Sequence, residues 1–175
     1  MTPLHFEPVG PDLSTIWPLY ESAFPWVERR SEEGLKRVLG RPGFRLERVV
    51  DSGTRTPLGL IAWWRFDDFI FIEHIAVYPD LRGQGYGAWI IASLPTPLVL
   101  ETEIPHDVDS ARRLAFYERL GFGVWSYDYY QPSYHEGLDP VPMRLLGLGT
   151  DPSKEAFERY VTQIHTAVYD RPRQG

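Results

Sequence analysis

The chain contains no cysteine. That absence excludes a disulfide framework, a zinc-thiolate site and a cysteine acyl-enzyme intermediate. No long hydrophobic run is present either: the longest, Leu58 to Trp64, falls far short of the roughly twenty residues of a membrane-spanning helix. Met1 to Gly10 show no basic segment followed by an apolar stretch, and a cytoplasmic protein is expected. Positive charge is scarce as well, the formal net charge being −6. Nothing general therefore attracts nucleic acid or an anionic membrane, and neither is expected as a partner; a phosphate must be held by local design. Internal repeats and low-complexity tracts are missing.

What is present is the balance of one ordinary globular domain, 43 % hydrophobic and 24 % charged over 175 residues, enough to bury a full core. The expected division is a domain over 1–150 with a helical extension of the same domain over 151–175. Aromatic residues cluster near Trp63, Trp64 and Tyr127 to Tyr134, where core and sheet packing is their simplest use.

Along the chain, Leu4 to Val9 reads as a strand, and Leu13 to Leu39 as two helices broken at Phe24-Pro25. Phe44 to Val50, Leu58 to Arg65 and Phe69 to Val77 are β-branched and aromatic runs separated by turn signals. A glycine-rich turn over Arg82 to Gly87 leads into a short helix ending near Ser93. A strand over Leu98 to Glu103 and a helix from about Ser110 to Leu120, stopped by Gly121, come next. Val124 to Tyr130 and Met143 to Leu148 read as the last strands, joined by a proline-rich segment suited to a substrate loop. Asp151-Pro152 opens a final helix with an apolar stripe of Phe157, Tyr160, Val161, Ile164 and Val168. The expected class is mixed α/β: one central, mostly antiparallel sheet of about seven strands, flanked by helices.

The turn Arg82-Gly83-Gln84-Gly85-Tyr86-Gly87 stands between a strand and a helix, where glycines let several backbone N–H groups approach a pyrophosphate. Gly83-x-Gly85-x-x-Ala88, with Glu101 downstream, also matches a dinucleotide fingerprint. Against that reading, five residues separate Val77 from Gly83, prolines at 95 and 97 cut the next helix short, and no second βαβ half follows. A triphosphatase phosphate loop is excluded, because no Lys-Ser or Lys-Thr follows the glycines.

Taken with the strand before it, Ile72 to Gly87 resembles the acetyl-CoA signature of the GNAT superfamily of N-acetyltransferases. Phe116-Tyr117-Glu118-Arg119-Leu120-Gly121-Phe122 resembles that family's Phe-Tyr-x-x-x-Gly-Phe element at the right distance. The likeness covers about Leu4 to Leu148 and implies the GNAT fold, acetyl-CoA as cosubstrate, and no metal. It implies cosubstrate contacts at Ile75, Ala76, Val77, Arg82, Gly83, Gln84, Gly85, Tyr86, Gly87 and Ala88, and at Ser110 and Arg113, where many members carry an asparagine and a small residue. A backbone N–H near Val77 would meet the oxyanion. Two further stretches, Phe24-Pro25-x-x-Glu28-Arg29-Arg30 and Gln131-Pro132-Ser133-Tyr134, resemble a bacterial subgroup.

Direct transfer to an amine needs a proton acceptor for the amine and a donor for the leaving thiolate. Glu73, in an apolar strand just before the turn, is the first candidate base; the alternative is an ordinary exposed strand residue. Glu101 and Glu103 lie on one side of the next strand, and either suits an ammonium or replaces Glu73. His74, on the face opposite Glu73, reads as a packed histidine. Tyr117 occupies the place of the family's general acid, its alternative being a core aromatic. Phe24, Trp26 and Tyr134 join the acidic pair as candidate substrate contacts for a small-molecule or peptide amine. The state expected is a monomer or homodimer. The competing reading is a non-catalytic acyl-CoA-binding module.

Overall fold

The β-branched runs between residues 44 and 77 all become strands in the computed structural model, which describes residues 3–171. The described chain falls into two compact units. One takes in the residues up to Phe66 together with Ile72–Pro95; the other takes in Asp67–Phe71 and the chain from Thr96 onward.

In the first unit the strands are β1 (Leu4–Pro8), β2 (Phe44–Asp51), β3 (Pro57–Arg65) and, from Ile72 onward, β4 (Ile70–Val77), hydrogen-bonded in that order. β1 runs antiparallel to β2 with Leu4 opposite Asp51, and β2 antiparallel to β3 with Phe44 opposite Trp64. β3 is buried from Leu58 to Trp64. Its sequence therefore reads as a continuous apolar run rather than an alternating one, as expected when both faces of a strand are covered. A side chain at Gly59 would place its Cβ 2.2 Å from the Ala76 carbonyl oxygen, so this close approach of β3 to β4 requires glycine.

Two helices precede β2. α1 (Trp17–Ala23) ends at Phe24, whose ψ of 132° is extended, as the following proline demands; a 3-10 turn at Trp26–Glu28 then leads to α2 (Glu32–Val38). Ser31 caps α2 by accepting the Gly34 N–H at 3.0 Å. Acidic Glu32 and Glu33 occupy its first turn and basic Lys36 and Arg37 its last, which complements the helix dipole. The unit closes with α3 (Tyr86–Ala92).

The second unit contains β5 (Leu98–Glu103), α4 (Val108–Arg119), β6 (Gly123–Val124), β7 (Tyr129–Gln131), β8 (Val141–Leu148) and α5 (Lys154–Ala167). β8 pairs antiparallel with β5, β6 and β7, setting Leu98 opposite Leu148, Gly123 opposite Gly147 and Tyr129 opposite Met143. The single strand expected over Val124 to Tyr130 is thus two short strands, bringing the total among the described residues to eight. Trp125 causes the break by leaving the strand line for the core, with its ring 6.1 Å from Phe157 and 5.7 Å from Tyr160.

The start of α5 also differs from expectation. Ser153, not Asp151, is the cap: its hydroxyl accepts the Ala156 N–H at 3.2 Å, while Asp151 accepts the Ser153 N–H at 2.8 Å. The apolar stripe is otherwise buried as the spacing requires, through Phe157, Tyr160, Val161 and Ile164, with Val168 just past the helix end. Each such side chain stabilises the fold by roughly 1.5–3 kcal/mol. Among the described residues no helix is long and apolar enough to cross a membrane.

Candidate active site

The glycine turn projects from the end of β4 into α3. Gly83 and Gly85 have φ of +76° and +86°, values in the left-handed region that favours glycine. A Cβ at Gly83 would meet nothing within 4 Å, so conformation, not crowding, calls for glycine there. Gly85 is the N-cap of α3 and offers no side-chain cap. Two side chains brace the turn from within: Gln84 Nε2 donates to the Asp80 carbonyl at 3.1 Å, and Arg82 Nε to the Val77 carbonyl at 3.3 Å. The stretch from Arg82 to Gly85 is exposed, while Ile75, Val77, Tyr86, Gly87 and Ala88 are half-buried and Ala76 is buried. This is an open backbone cradle whose donors are amides.

Glu73 does not occupy the exposed strand position that is the alternative to the base reading. Its side chain is 1 % exposed. Oε1 accepts from Arg30 Nε at 2.7 Å and Oε2 from Trp64 Nε1 at 2.6 Å. Burial raises its pKa, but the Arg30 charge, the neighbouring His74 and the hydrogen bonds from Trp64 and Arg30 outweigh that and hold it below the ordinary carboxylate value. A carboxylate held in this way is well placed to anchor its strand and poorly placed to accept a proton.

His74 is buried as expected, although not turned away from Glu73: Nδ1 lies 3.8 Å from Glu73 Oε1. Nε2 faces the Glu28 carbonyl at 2.9 Å and therefore carries the proton, leaving Nδ1 to face the Tyr20 hydroxyl at 3.5 Å. That hydroxyl accepts the Arg30 N–H at 3.0 Å. Burial, opposed by the Glu73 charge, lowers the His74 pKa, so the ring is neutral. Phe24 packs on it at 4.5 Å. Trp26, in contrast, is 51 % exposed and lies beneath the Arg29 guanidinium.

In the second unit Tyr117 is buried on α4 between the rings of Phe116 and Phe122. Burial, opposed only by Arg113, pushes its hydroxyl up to about 12, so it stays protonated at neutral pH. Ser110 is committed to the cap of α4. Its hydroxyl donates to Asp107 Oδ1 at 2.6 Å and accepts the N–H groups of His106 and Asp107 at 2.9 and 3.0 Å. The hydroxyl assigned to the cosubstrate by resemblance is spent locally. Arg113 is likewise paired, with Glu103.

Glu101 is the centre of a separate cluster. Its Oε1 accepts from the Tyr129 hydroxyl, and its Oε2 from Gln131 Nε2 at 2.6 Å and from the Tyr169 hydroxyl at 2.7 Å. The Tyr134 hydroxyl donates to Tyr169 at 3.3 Å, with the two rings 5.0 Å apart. Tyr129 and Gln131 are buried. The structure thus joins two of the expected substrate residues, Glu101 and Tyr134, through a third side chain, Tyr169, that sequence reading did not select. The sequence likewise does not single out Arg30, Trp64, Gln131 and Tyr129 as partners of the two glutamates. Arg30 and Gln131 lie in the two short stretches that resemble a subgroup, a likeness that gives neither of them a role.

A braced glycine cradle follows β4, and a tyrosine that stays protonated lies on α4. Comparison with known proteins gives the class. The model of the acetyltransferase (GNAT) domain matches residues 48–124. A solved structure from Bacteroides thetaiotaomicron, named "Putative acetyltransferase from GNAT family", is 35 % identical with a TM-score of 0.86, covering 94 % of this chain and 98 % of that one. The Bacillus subtilis (strain 168) protein "Putative acetyltransferase YjbC" is 40 % identical over 68 residues, 36 % of this chain; the match spans about a third of that relative, 35 % of its length. A GNAT family acetyltransferase from Elizabethkingia anophelis, solved with acetyl-CoA bound, shares the fold at a TM-score of 0.55 and 18 % identity, covering 83 % of this chain and 97 % of that one. The chain belongs to the GNAT acetyltransferase family.

Proposed function

We propose that the protein is an N-acetyltransferase that moves an acetyl group from acetyl-CoA directly to an amine. The observation that carries this reading is the turn itself. Two left-handed glycines, the second of them the N-cap of α3, leave backbone donors open to a pyrophosphate, in a chain of this family. Acetyl-CoA supplies the thioester. Transfer forms one C–N bond, breaks one C–S bond, releases a proton from nitrogen and consumes one at the leaving sulfur.

Tyr117 is assigned the second proton. Its raised pKa keeps the hydroxyl protonated at neutral pH, and a tyrosine donates to a thiolate and recovers its proton from solvent. Glu101 is the carboxylate assigned to the amine. Its three donors favour the anion, so its role is to draw in a cationic acceptor, which gives one proton to water to become the free amine before attack and a second to water after it. The buried pair with Arg30 supports reading Glu73 as a positioning residue that fixes β4 before the turn, rather than as the base.

Calorimetry with acetyl-CoA, run beside a screen of amines for CoA release, tests the reading. Acetyl-CoA is expected to bind and NAD is not. Gly85→Val, which forces a β-branched residue into a left-handed conformation and fills the cradle, is expected to remove acetyl-CoA binding and leave the fold intact. Normal affinity in that variant would put the phosphates elsewhere. Binding without turnover across a broad panel of amines would instead favour the non-catalytic module.

A further inference from the structure

The segment between α1 and α2 buries a cation that its neighbours only half serve. Arg29 follows the 3-10 turn at Trp26–Glu28 and is 9 % exposed. Its guanidinium lies 5.6 Å from the centre of the Trp17 ring and 5.3 Å from that of Trp26, distances at which an indole face attracts a cation. Ring faces do not replace hydrogen bonds. Arg29 Nε is buried and has no hydrogen-bond partner among the described residues, and Nη2 reaches Glu21 Oε1 only at 3.5 Å. Arg30, the next residue, shows the contrast, with its Nε on Glu73 at 2.7 Å. A guanidinium edge seated squarely on a carboxylate makes two parallel hydrogen bonds, and an unmet buried donor costs more on a charged group than on a neutral one.

We propose that Arg29 is the seat of a small-molecule carboxylate that carries an apolar body. The ligand takes the place of Glu21, with one oxygen on Nε and the other on Nη2, and its body lies along the indole of Trp26. Glu21 itself marks the chemistry that this edge accepts. It stands four residues after Trp17 on α1, on the same helix face, and its side chain is 55 % exposed. It can therefore swing into water without disturbing the core. Trp26 and its neighbour Val27 are 51 % and 41 % exposed, apolar surface that a carboxylate with a hydrocarbon body covers and a bare anion does not. A neutral amide brings no charge and turns an N–H toward the donors. A phosphate is tetrahedral, whereas the group now at this edge is a flat monoanion.

The seat is tied to the strand that carries the glycine turn. The Glu28 carbonyl accepts from His74 Nε2 at 2.9 Å, and β4 continues from His74 to Val77 before the turn. All of these residues lie in the first unit. The seat itself needs neither acetyl-CoA nor acyl transfer, and a non-catalytic module would keep it.

The test uses the full chain and ligand-observed NMR with hydrocinnamate, its neutral amide, acetate and phenyl phosphate. Hydrocinnamate is expected to bind saturably, and each of the other three about tenfold more weakly. Arg29→Gln is expected to weaken hydrocinnamate by about tenfold or more. Glu21→Gln removes the competing carboxylate and is expected to tighten it by about threefold, a gain that an arginine with a purely structural role would not give. Glu21 is exposed, so this variant decides even if Arg29→Gln fails to fold. Trp26→Ala is expected to weaken hydrocinnamate and leave acetate as it was. Equal binding of acid and amide, tighter binding of phenyl phosphate, or no gain in Glu21→Gln would each overturn the seat. So would displacement of hydrocinnamate by acetyl-CoA together with weaker acetyl-CoA binding in Arg29→Gln, which would give the guanidinium to the CoA phosphates. If acetyl-CoA binds and hydrocinnamate does not, the seat is wrong and the acetyltransferase reading stands. Hydrocinnamate binding without acetyl-CoA binding leaves the seat and removes the acetyltransferase reading.

Discussion

Glu73 and Glu101 are both strand glutamates held by hydrogen bonds, and the two differ in what holds them. A buried guanidinium and an indole N–H meet Glu73. Two tyrosine hydroxyls and an amide, all neutral, meet Glu101. In the first case the charge is cancelled within the fold, so removing either partner strands the other. In the second, neutral donors steady the anion by hydrogen bonds from β7 and from Tyr169. Residue type and strand position are the same; the side chains that the fold brings to each are different.

Breaking the Arg30–Glu73 pair from one side should have the largest effect. Arg30→Met leaves a buried carboxylate without its cation, and a loss of about 3–5 kcal/mol is expected, measured by urea unfolding. A loss smaller than that from any substitution around Glu101 would reverse the contrast.

Catalysis sharpens it next. Tyr117→Phe is expected to lower kcat by roughly 10²-fold without rescue at high pH, because the missing group is an acid. Glu73→Gln should show its main effect in stability, with a pH–rate profile of unchanged shape. Alkaline rescue of Glu73→Gln would return the base role to β4.

Tyr129→Phe removes one neutral donor from Glu101. A cost of about 1.5 kcal/mol is expected, well below that of Arg30→Met, since water reaches the half-buried carboxylate. Equal costs by the same unfolding assay would mean the two sites are equally closed.

The smallest effect is on the pH dependence of stability. Burial raises the Glu73 pKa but Arg30, His74 and Trp64 together lower it, so its contribution is complete above the unfolded carboxylate value and is lost as pH falls through the lower folded one. His74, lowered by burial, acts in the same direction: below about pH 6.5 the unfolded imidazole binds a proton that the folded one resists. Scanning calorimetry should show Tm falling from pH 7 to pH 4. The slope below about pH 5 should be shallower in Glu73→Gln, where one of the two groups is gone.

Much of this protein is legible without coordinates. The runs at 44–50, 58–65 and 69–77 are strands because β-branched and aromatic side chains pack on pleated surfaces, a local preference. The turn at 82–87 declares itself because only glycine enters the left-handed region freely, and both Gly83 and Gly85 do so. Tyr117 was found through its place in a linked motif. Even the boundary errors have local causes: Asp151-Pro152 and Ser153 offer competing caps, and Trp125 interrupts a strand by turning inward.

The roles of the carboxylates were decided only in three dimensions. Arg30 is 43 residues from Glu73, and Tyr169 is 68 residues from Glu101. Periodicity places a glutamate on a strand face and says nothing about which side chain the fold delivers to it. A carboxylate's pKa and reach depend on charges and donors within a few ångströms. Sequence alone therefore determined the strands, the glycine cradle and the family, because those rest on neighbours in the chain. Only the tertiary structure decided that Glu73 is locked in an ion pair with Arg30 and that Glu101 meets Tyr129, Gln131 and Tyr169, because that rests on neighbours in space.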